Sequence, residues 1–336
     1  MKKTVQVAAD RAYDETKTVL PAEMARGVYM HNAPSLRALK LMHLMVAKAG
    51  GRMAEPVQHE VRLSEINSID GMRRHDQESI KPLFLELTTS AMVYDEPEKK
   101  RYTVGTLLDK AVVDYRHEVS GDILVSWRFG SLFMEMAERS NHWAILDRQT
   151  VFHLQSKYSV LLFQYFASLQ NLKHKTGEVF TVDQLRSMLG IERGKLTRFS
   201  HLNLRALQPA IAEINQLSRF TLSATLRKTG RTVTSVEISW EAKPDPAKTK
   251  RELGTSKVGR KTRRSDAEEV IVQGFPETGT ITYDKQWADL ARKHGSNNDI
   301  NKIADNFRNW WKPKPLDSKG VEKAFVGFCK GLKPPT

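Results

Sequence analysis

The chain contains one cysteine, Cys329, in 336 residues. An internal disulfide and a cysteine-rich zinc site are therefore excluded, and Cys329 is expected to be a small packing residue. Long apolar runs are also missing. No stretch approaches the roughly 18 residues that a membrane span requires, and Met1 to Leu20 is too polar for the apolar region of a signal peptide. A cytoplasmic protein with no membrane partner is the expectation. Catalytic patterns are equally scarce. None of the ten histidines forms the histidine-x-histidine pair that a strand-nicking enzyme needs beside a nucleophilic tyrosine. No nucleophile elbow or paired glycine-rich loop occurs either. Gly254 to Gly259 has the glycine spacing of a phosphate loop, but Arg260 intrudes before Lys261-Thr262 and no strand pattern precedes it. The sequence thus predicts no enzyme, no catalytic residue, no metal site and no cofactor. Single histidines such as His43, His142 and His153 read as core or surface residues.

What the chain has in excess is positive charge. Lys and Arg outnumber Asp and Glu by 53 to 39, a net charge of +14, and the isoelectric point is near 9.7. A polyanionic partner follows, and nucleic acid fits best. The length is enough for two or three domains, each with its own core.

The clearest pattern runs from Thr181 to Trp240. Thr181-Val182-Asp183-Gln184 is a capping box, and Gly190 suits the left-handed residue that closes a helix. A second helix follows from His201 to Asn215. Its apolar positions Leu204, Leu207, Ile211 and Ile214 recur at helical spacing, which turns Arg198, His201, Arg205, Gln208 and Ala212 outward. The period then drops to two. Phe220, Leu222, Ala224 and Leu226 form one strand, Lys228-Thr229-Gly230-Arg231 a basic turn, and Val233, Val236 and Ile238 the return strand. Helix, turn, helix and basic hairpin are the parts of a winged helix. Arginine forks onto guanine edges and glutamine onto adenine, so the outward stripe has suitable chemistry for base reading.

The pattern occurs twice. Ile80-Lys81-Pro82-Leu83-Phe84-Leu85-Glu86-Leu87 has the same order of apolar residue, proline and glutamate as Leu207-Gln208-Pro209-Ala210-Ile211-Ala212-Glu213-Ile214. Each is preceded by an apolar helix opening on serine, at Ser35 and Ser156, and by Glu60-Val61 or Glu178-Val179. Each is followed by strands ending in Ser-Trp, at Ser126-Trp127 and Ser239-Trp240. An internal duplication with a spacing of roughly 120 residues follows. The fold class is α+β: two tandem winged helices, a basic linker and a small helical C-terminal module.

The expected division is a mobile arm over 1–30, winged helix 1 over 31–148, winged helix 2 over 149–241, a basic linker over 242–275 and the C-terminal module over 276–336. In the first copy, Ser64 is expected to cap the short helix and Gly71 to end it. Tyr94 to Trp127 carries enough strand for a sheet with an unpaired edge, which invites a second chain. An amphipathic connecting helix is expected over Ser131 to Leu146. A proline inside each second helix is expected near the start of its regular part or at a bend, because it removes a backbone donor.

Ser156-Lys157-Tyr158, Thr181 to Gly190, Leu207 to Asn215 with Pro209, and the Gly230-Arg231 wing together resemble the iteron-binding plasmid replication initiators. The resemblance covers roughly Ser35 to Trp240 and is closer in the second copy. It implies a protein whose winged helices grip successive major grooves of directly repeated origin DNA, melt AT-rich DNA beside it, and recruit the host initiator and replicative helicase. It also implies a homodimer in equilibrium with monomer, the dimer repressing its own promoter. The DNA candidates are Arg198, His201, Asn203, Arg205, Gln208, Lys228 and Arg231, with Arg73, Arg74, Gln77 and Lys81 in the first copy. Leu204 stands where some relatives would carry a basic residue. A tandem winged-helix transcriptional regulator shares every DNA-binding feature and is the alternative.

Beyond Ala242 the composition turns basic as far as Asp266. Apolar residues return at Trp287, Leu290, Phe307, Trp310, Trp311, Phe325 and Phe328, which fits two or three helices. Trp287, Phe307, Trp310 and Trp311 are candidates for docking a partner, distantly similar to C-terminal segments of replication proteins that engage helicase or primosome components.

Overall fold

The computed structural model describes residues 3–12, 14–116, 122–170, 172, 175–229, 232–244, 275–282, 284–312 and 321–332. The chain divides into two units, Met1–Ala267 and Glu268–Thr336.

The first segment is not an arm. Helix α1 (Lys3–Asp10) is anchored by Thr4, whose hydroxyl donates to the carbonyls of Ser140 at 2.9 Å and His142 at 3.0 Å. Strand β1 (Lys17–Pro21) pairs antiparallel with residues 143–147 and buries Val19 and Leu20. Lys17 meets Asp147 at 2.9 Å. The sequence hid this because two apolar residues acquire a partner strand only after the chain has travelled through the whole first repeat. Strand β2 (Val28–His31) leads to α2 (Leu36–Ala49), where Ser35 accepts the Ala38 N–H and Gly50 ends the helix.

Strand β3 (His59–Arg62) runs directly into α3 (Leu63–Ser68). Ser64 does not cap it. Its N–H and hydroxyl both donate to the Asp122 carboxylate, at 3.2 and 3.0 Å, and the helix starts two residues earlier than a Ser64 cap would give, behind Arg62. Gly71 lies past the end of the helix with φ +84, and a Cβ there would stand 2.6 Å from the Phe152 carbonyl oxygen. Helix α4 (Gln77–Thr89) begins behind Asp76, which accepts the Ser79 N–H at 2.8 Å. Strands β4 (Ala91–Glu96), β5 (Arg101–Thr106), β6 (Leu108–Asp114) and β7 (Leu124–Phe129) follow. They do not form one long hairpin. The order β2-β4-β5 makes one sheet and β3-β7-β6 another.

Helix α5 (Ser131–Arg139) stops well before Leu146, and β8 (Trp143–Asp147) pairs with β1. Residues 143–147 alternate between half-buried and buried, the period of a strand, so the expected helix over 131–146 is a helix and a strand. Asp147 accepts the Thr150 N–H and caps α6 (Arg148–His153).

The second repeat opens with α7 (Lys157–Leu169), nearly all of it buried, behind the Ser156 cap. Strand β9 (Gly177–Thr181) leads to α8 (Val182–Met188), where both bonds of the Thr181–Gln184 capping box form, at 2.9 and 3.2 Å. Then come α9 (Phe199–Leu202), a π turn over Asn203–Leu207, α10 (Gln208–Leu217), β10 (Phe220–Thr229) and β11 (Thr232–Ala242). The sheet order β10-β11-β9 repeats β6-β7-β3. In each copy the last strand is central, flanked by its hairpin partner and by the strand that precedes the short helix. The duplication read from the sequence is thus a duplication of topology.

The shared glutamate acquires a role here. Glu86 accepts the Ser35 N–H at 2.6 Å and Glu213 accepts the Gln155 N–H at 2.7 Å. Each proline-bearing helix is thereby tied by a carboxylate to the start of the apolar helix of its own repeat, where N–H groups lack intrahelical partners and the dipole favours negative charge.

The two apolar helices pack on each other within one continuous core. His43 and Gln164 occupy the same place in α2 and α7, counted from Ser35 and Ser156. His43 is fully buried, and burial pushes its imidazole down to about 4, against the opposing effect of the Gln164 side chain. The second unit holds α11 (Lys285–His294), α12 (Ile300–Trp311) and α13 (Val321–Lys330), closed around Phe275, Trp287, Phe307, Phe325 and Cys329. Phe275, expected in the linker, belongs to this core. Cys329 is buried, as a packing residue should be.

Neutral, buried His43 makes the fold acid-sensitive. An unfolded histidine binds its proton as pH falls below 6.5, whereas His43 in the folded chain resists until about 4. Its contribution is therefore complete above pH 6.5 and declines by about 3 kcal/mol on going down to pH 4. Denaturant titrations across that range are expected to show that much less acid dependence in His43→Gln. An unchanged acid slope would contradict the assignment.

Candidate nucleic-acid interface

Helices α9 and α10 and the π turn between them form one continuous rod, Phe199 to Leu217. Leu202, Ala206, Leu207, Ala210, Ile211, Ile214 and Leu217 fix its back in the core. The π turn has a local cause. Pro209 has no N–H, and its ring would collide with the carbonyl of the residue four before it in a regular helix. Widening the preceding turn avoids this: Gln208 N–H donates to the Asn203 carbonyl, five residues back. Pro209 then stands in the first turn of the regular α10, where a missing donor costs least.

The widened turn changes which side chains face out. In a uniform helix Leu204 shares the inner face with Leu207 and Ile211, as the sequence pattern predicts. In the structure Leu204 is 71% exposed and stands beside Arg205. The outer row is Arg198, His201, Leu204, Arg205 and Gln208, all exposed. Asn203 turns away, half-buried, with its Oδ1 shielded from solvent. Ala212 is also half-buried and lies beyond the row. A leucine in such a row offers apolar contact to a thymine methyl, a chemistry that arginine and glutamine lack.

Two further exposed basic parts belong to the same repeat. The turn between α8 and α9 presents Arg193 and Lys195 around Gly194, whose φ of +85 needs glycine. The sequence reading passed over both residues, although basic side chains bracketing a turn glycine were a visible signal. Arg186 holds that turn from beneath, pairing with Asp183 at 2.7 Å and donating to the carbonyls of Leu196 and Thr197. The second part is the wing, the β10–β11 hairpin. Arg227, Lys228 and Thr229 are exposed near its tip, with a register shift between Arg227 and Lys228. Arg227 is matched by Glu237 at 2.8 Å. Arg231 lies outside the described residues.

The first repeat presents a different surface. Arg73 and Arg74 are exposed, but in the loop before α4. His75 beside them is buried, and burial together with Arg37 and Arg73 pushes its imidazole below the ordinary value. Arg37 is a basic neighbour the sequence did not single out. Gln77 and Lys81 do lie on α4, yet they line a groove of about 350 Å³ with Leu85, Val113 and Tyr115. Asp76 and Glu78 sit at the start of that helix. Of these four candidates only Gln77 and Lys81 share one surface, which mixes charges of both signs with apolar residues, while Arg73 lines a separate cavity with Arg37, Lys40 and His75. Among the described residues no cluster of His, Cys, Asp or Glu could hold a metal ion.

Both repeats match known family descriptions. Residues 28–167 match "Initiator Replication protein, WH1" and residues 181–240 match "Initiator Rep protein, WH2". This chain belongs to the initiator replication protein family.

The initiator fold is shared with a solved relative. The structure is similar to that of the Pi initiator protein, crystallised in complex with iteron DNA, at 15% identity and a TM-score of 0.50. The match covers 69% of this chain and 99% of that one. Domains 2 and 3 of RctB match at 11% identity and a TM-score of 0.38, covering 62% of this chain and 81% of that chain. No curated protein sequence matches this initiator. The second unit lies beyond both family matches. Two of its docking candidates, Trp287 and Phe307, are wholly buried core residues and cannot meet a partner. Trp310 is exposed and Trp311 half-buried.

Pro209→Ala restores a backbone donor and removes the ring, which permits a regular helix like α4, where Pro82 is carried without a widened turn, and the return of Leu204 to the inner face. The variant is expected to keep or raise its thermal stability while specific duplex binding falls at least roughly tenfold, a difference of about 1.4 kcal/mol. Unfolding curves with binding titrations check this. Unchanged specific affinity would count against the role given to the widened turn.

Proposed function

We propose that this protein is a sequence-specific, duplex-binding plasmid replication initiator that recognises directly repeated origin sequences. The observation that carries the reading is the exposed row Arg198, His201, Leu204, Arg205 and Gln208 on a helix whose back is fixed in the core. The capacity of the similar Pi initiator to form a complex with iteron DNA supports it. The net charge of +14 supplies the attraction to phosphate that any such binding uses. In this reading the second winged helix reads bases and its wing tip contacts backbone. The first adds basic contacts from Arg73, Arg74 and Lys81 and an amide contact from Gln77. The protein does no covalent chemistry: it opens adjacent AT-rich DNA by binding, and it recruits the host initiator and replicative helicase in the cytoplasm.

A dimer in equilibrium with monomer, the dimer repressing the protein's own promoter, completes the proposal. Support comes from the first repeat. β5 and β6 are each the outer strand of a three-stranded sheet, and Tyr102, Val104 and Tyr115 on or beside them are each more than half exposed. Unpaired, apolar strand edges are templates for pairing with another chain.

Footprinting on the DNA beside its own gene tests the central reading, with protection of tandem direct repeats as the expected result. Arg205→Ala is expected to cost about 1 to 3 kcal/mol on the specific site and to relax sequence preference. Lys228→Ala should instead weaken specific and random duplex alike and lower the salt dependence of binding. Equal losses on both kinds of duplex for the two variants would defeat these roles. Val113→Pro, in β6, is expected to shift sedimentation toward monomer; an unchanged dimer fraction would remove that strand from the interface.

A further inference from the structure

The second unit exposes an aromatic surface that its own core does not need. Trp310 is 57% exposed, and it is the one exposed tryptophan among the described residues. Its ring is nevertheless held: Phe328 lies 5.4 Å from it, Phe307 5.9 Å and Trp311 6.0 Å, with interplanar angles of 41°, 35° and 39°. Trp311 in turn stacks on buried Phe307 at 5.7 Å. One side of the indole thus rests on a fixed aromatic base while the rest meets solvent, so little side-chain freedom remains to be lost on binding.

The surroundings are polar and cationic. Lys302 and Asn306 precede Trp310 at successive helical turns of α12, both exposed, and exposed Lys312 follows it. The neighbouring carboxylate, Asp305, is engaged by Arg308 at 2.6 Å. On α13, Gly327 precedes Phe328, and nothing lies within 4 Å of where its Cβ would stand. Glycine inside a helix costs roughly 0.5 to 1 kcal/mol relative to alanine, and no close packing at that position accounts for it. Lys330 ends the helix, exposed. The chain leading to this unit is rich in Lys and Arg from Lys243 to Arg264.

We propose that the face built by Trp310, Trp311 and Phe328 binds single-stranded DNA, with unpaired bases stacking on Trp310 and the phosphates drawn by Lys302, Lys312 and Lys330. The occupant follows from the chemistry. A groove for a partner helix presents several aliphatic anchors, whereas among the described residues of this unit the one large apolar side chain more than a third exposed is an indole, with exposed Lys302, Asn306 and Lys312 on or next to the same helix. Fixed aromatic faces among cations are how sequence-tolerant single-strand binders work, since every base has a stacking face. The proposal rests on the reading of this protein as an initiator that opens duplex DNA, because opening supplies the unpaired strand.

The test uses the full chain. Fluorescence anisotropy with a labelled oligo-dT measures single-strand affinity, and a labelled duplex carrying the footprinted repeat measures double-strand affinity. Trp310→Ala is expected to weaken oligo-dT binding by roughly 5- to 100-fold and to leave duplex binding unchanged, with Trp310→Phe restoring most of the loss. Near-UV circular dichroism of the variants establishes that the unit's core is intact. Oligo-dT affinity that is unchanged in Trp310→Ala overturns the proposal, whether the strand is then held by the basic segment or the face serves a protein instead. Loss of duplex binding by the parent protein would count against the initiator reading, while the single-strand arm still decides this one.

Discussion

A helix can present side chains to another molecule in a defined way only if its own axis and rotation are fixed. In this protein much of that fixing is done by a carboxylate. Glu213 on α10 accepts the Gln155 N–H at 2.7 Å, just before the buried helix α7, and Glu86 on α4 does the same for Ser35 before α2. The bond is charge-assisted and lies where the dipole of the apolar helix favours negative charge. Around it the apolar side of each proline-bearing helix closes onto the core, through Ile211, Ile214 and Leu217 in the second repeat and Leu83, Phe84 and Leu87 in the first. The exposed row of the second repeat exists because this side is occupied. Packing supplies most of the free energy, and the carboxylate supplies the registration of one helix against the other.

The same constraint explains what could be read in the sequence. The Ser35 and Ser156 caps, the Thr181 box, the left-handed Gly50 and Gly190 and the alternation of the wing are local signals, decided within a few residues of one another, and each stands where the pattern places it. The duplication was legible because proline and glutamate recur at fixed places in a weakly similar background. What escaped was non-local or came from a break in periodicity. Strand β1 has no local signature strong enough to distinguish it from a loose segment, and its identity comes from β8. Ser64 has the chemistry of a cap, but Asp122 competes for it from the segment just before β7. Leu204 was assigned inward by a period that assumes a uniform helix, and one widened turn reverses the assignment.

Duplication followed by divergence accounts for the contrast between the repeats. The second has a single long hairpin, β10–β11, and no acidic residue on the outward row of its α9–α10 rod. The first acquired the β4–β5 hairpin, which joins β2 in a sheet of its own and leaves β5 as an outer strand. Its α4 begins with Asp76 and Glu78, and its outer groove is partly apolar. Negative charge at that helix start suits the dipole but opposes phosphate. The two copies are thus chemically suited to different tasks, although one topology produced both.

Aromatic density alone does not separate core from surface in the second unit. Trp287, Phe307, Trp310 and Trp311 look alike as residues in a line of sequence, and helical periodicity places Phe307 and Trp311 on one face of α12. The closed cluster of Phe275, Trp287, Phe307 and Phe325 is filled from three helices and the segment before them, with ring centroids 4.8 to 5.5 Å apart. Each of these large rings removes enough apolar surface from water to contribute roughly 1.5 to 3 kcal/mol, which a unit this small needs in order to fold. Once that cluster is closed, the adjoining Trp310 has a neighbour on one side and solvent on the other. Its exposure is a consequence of how few residues the core can enclose, and its rigidity is a consequence of the rings beneath it; together they give the surface a fixed aromatic face without further stabilising structure.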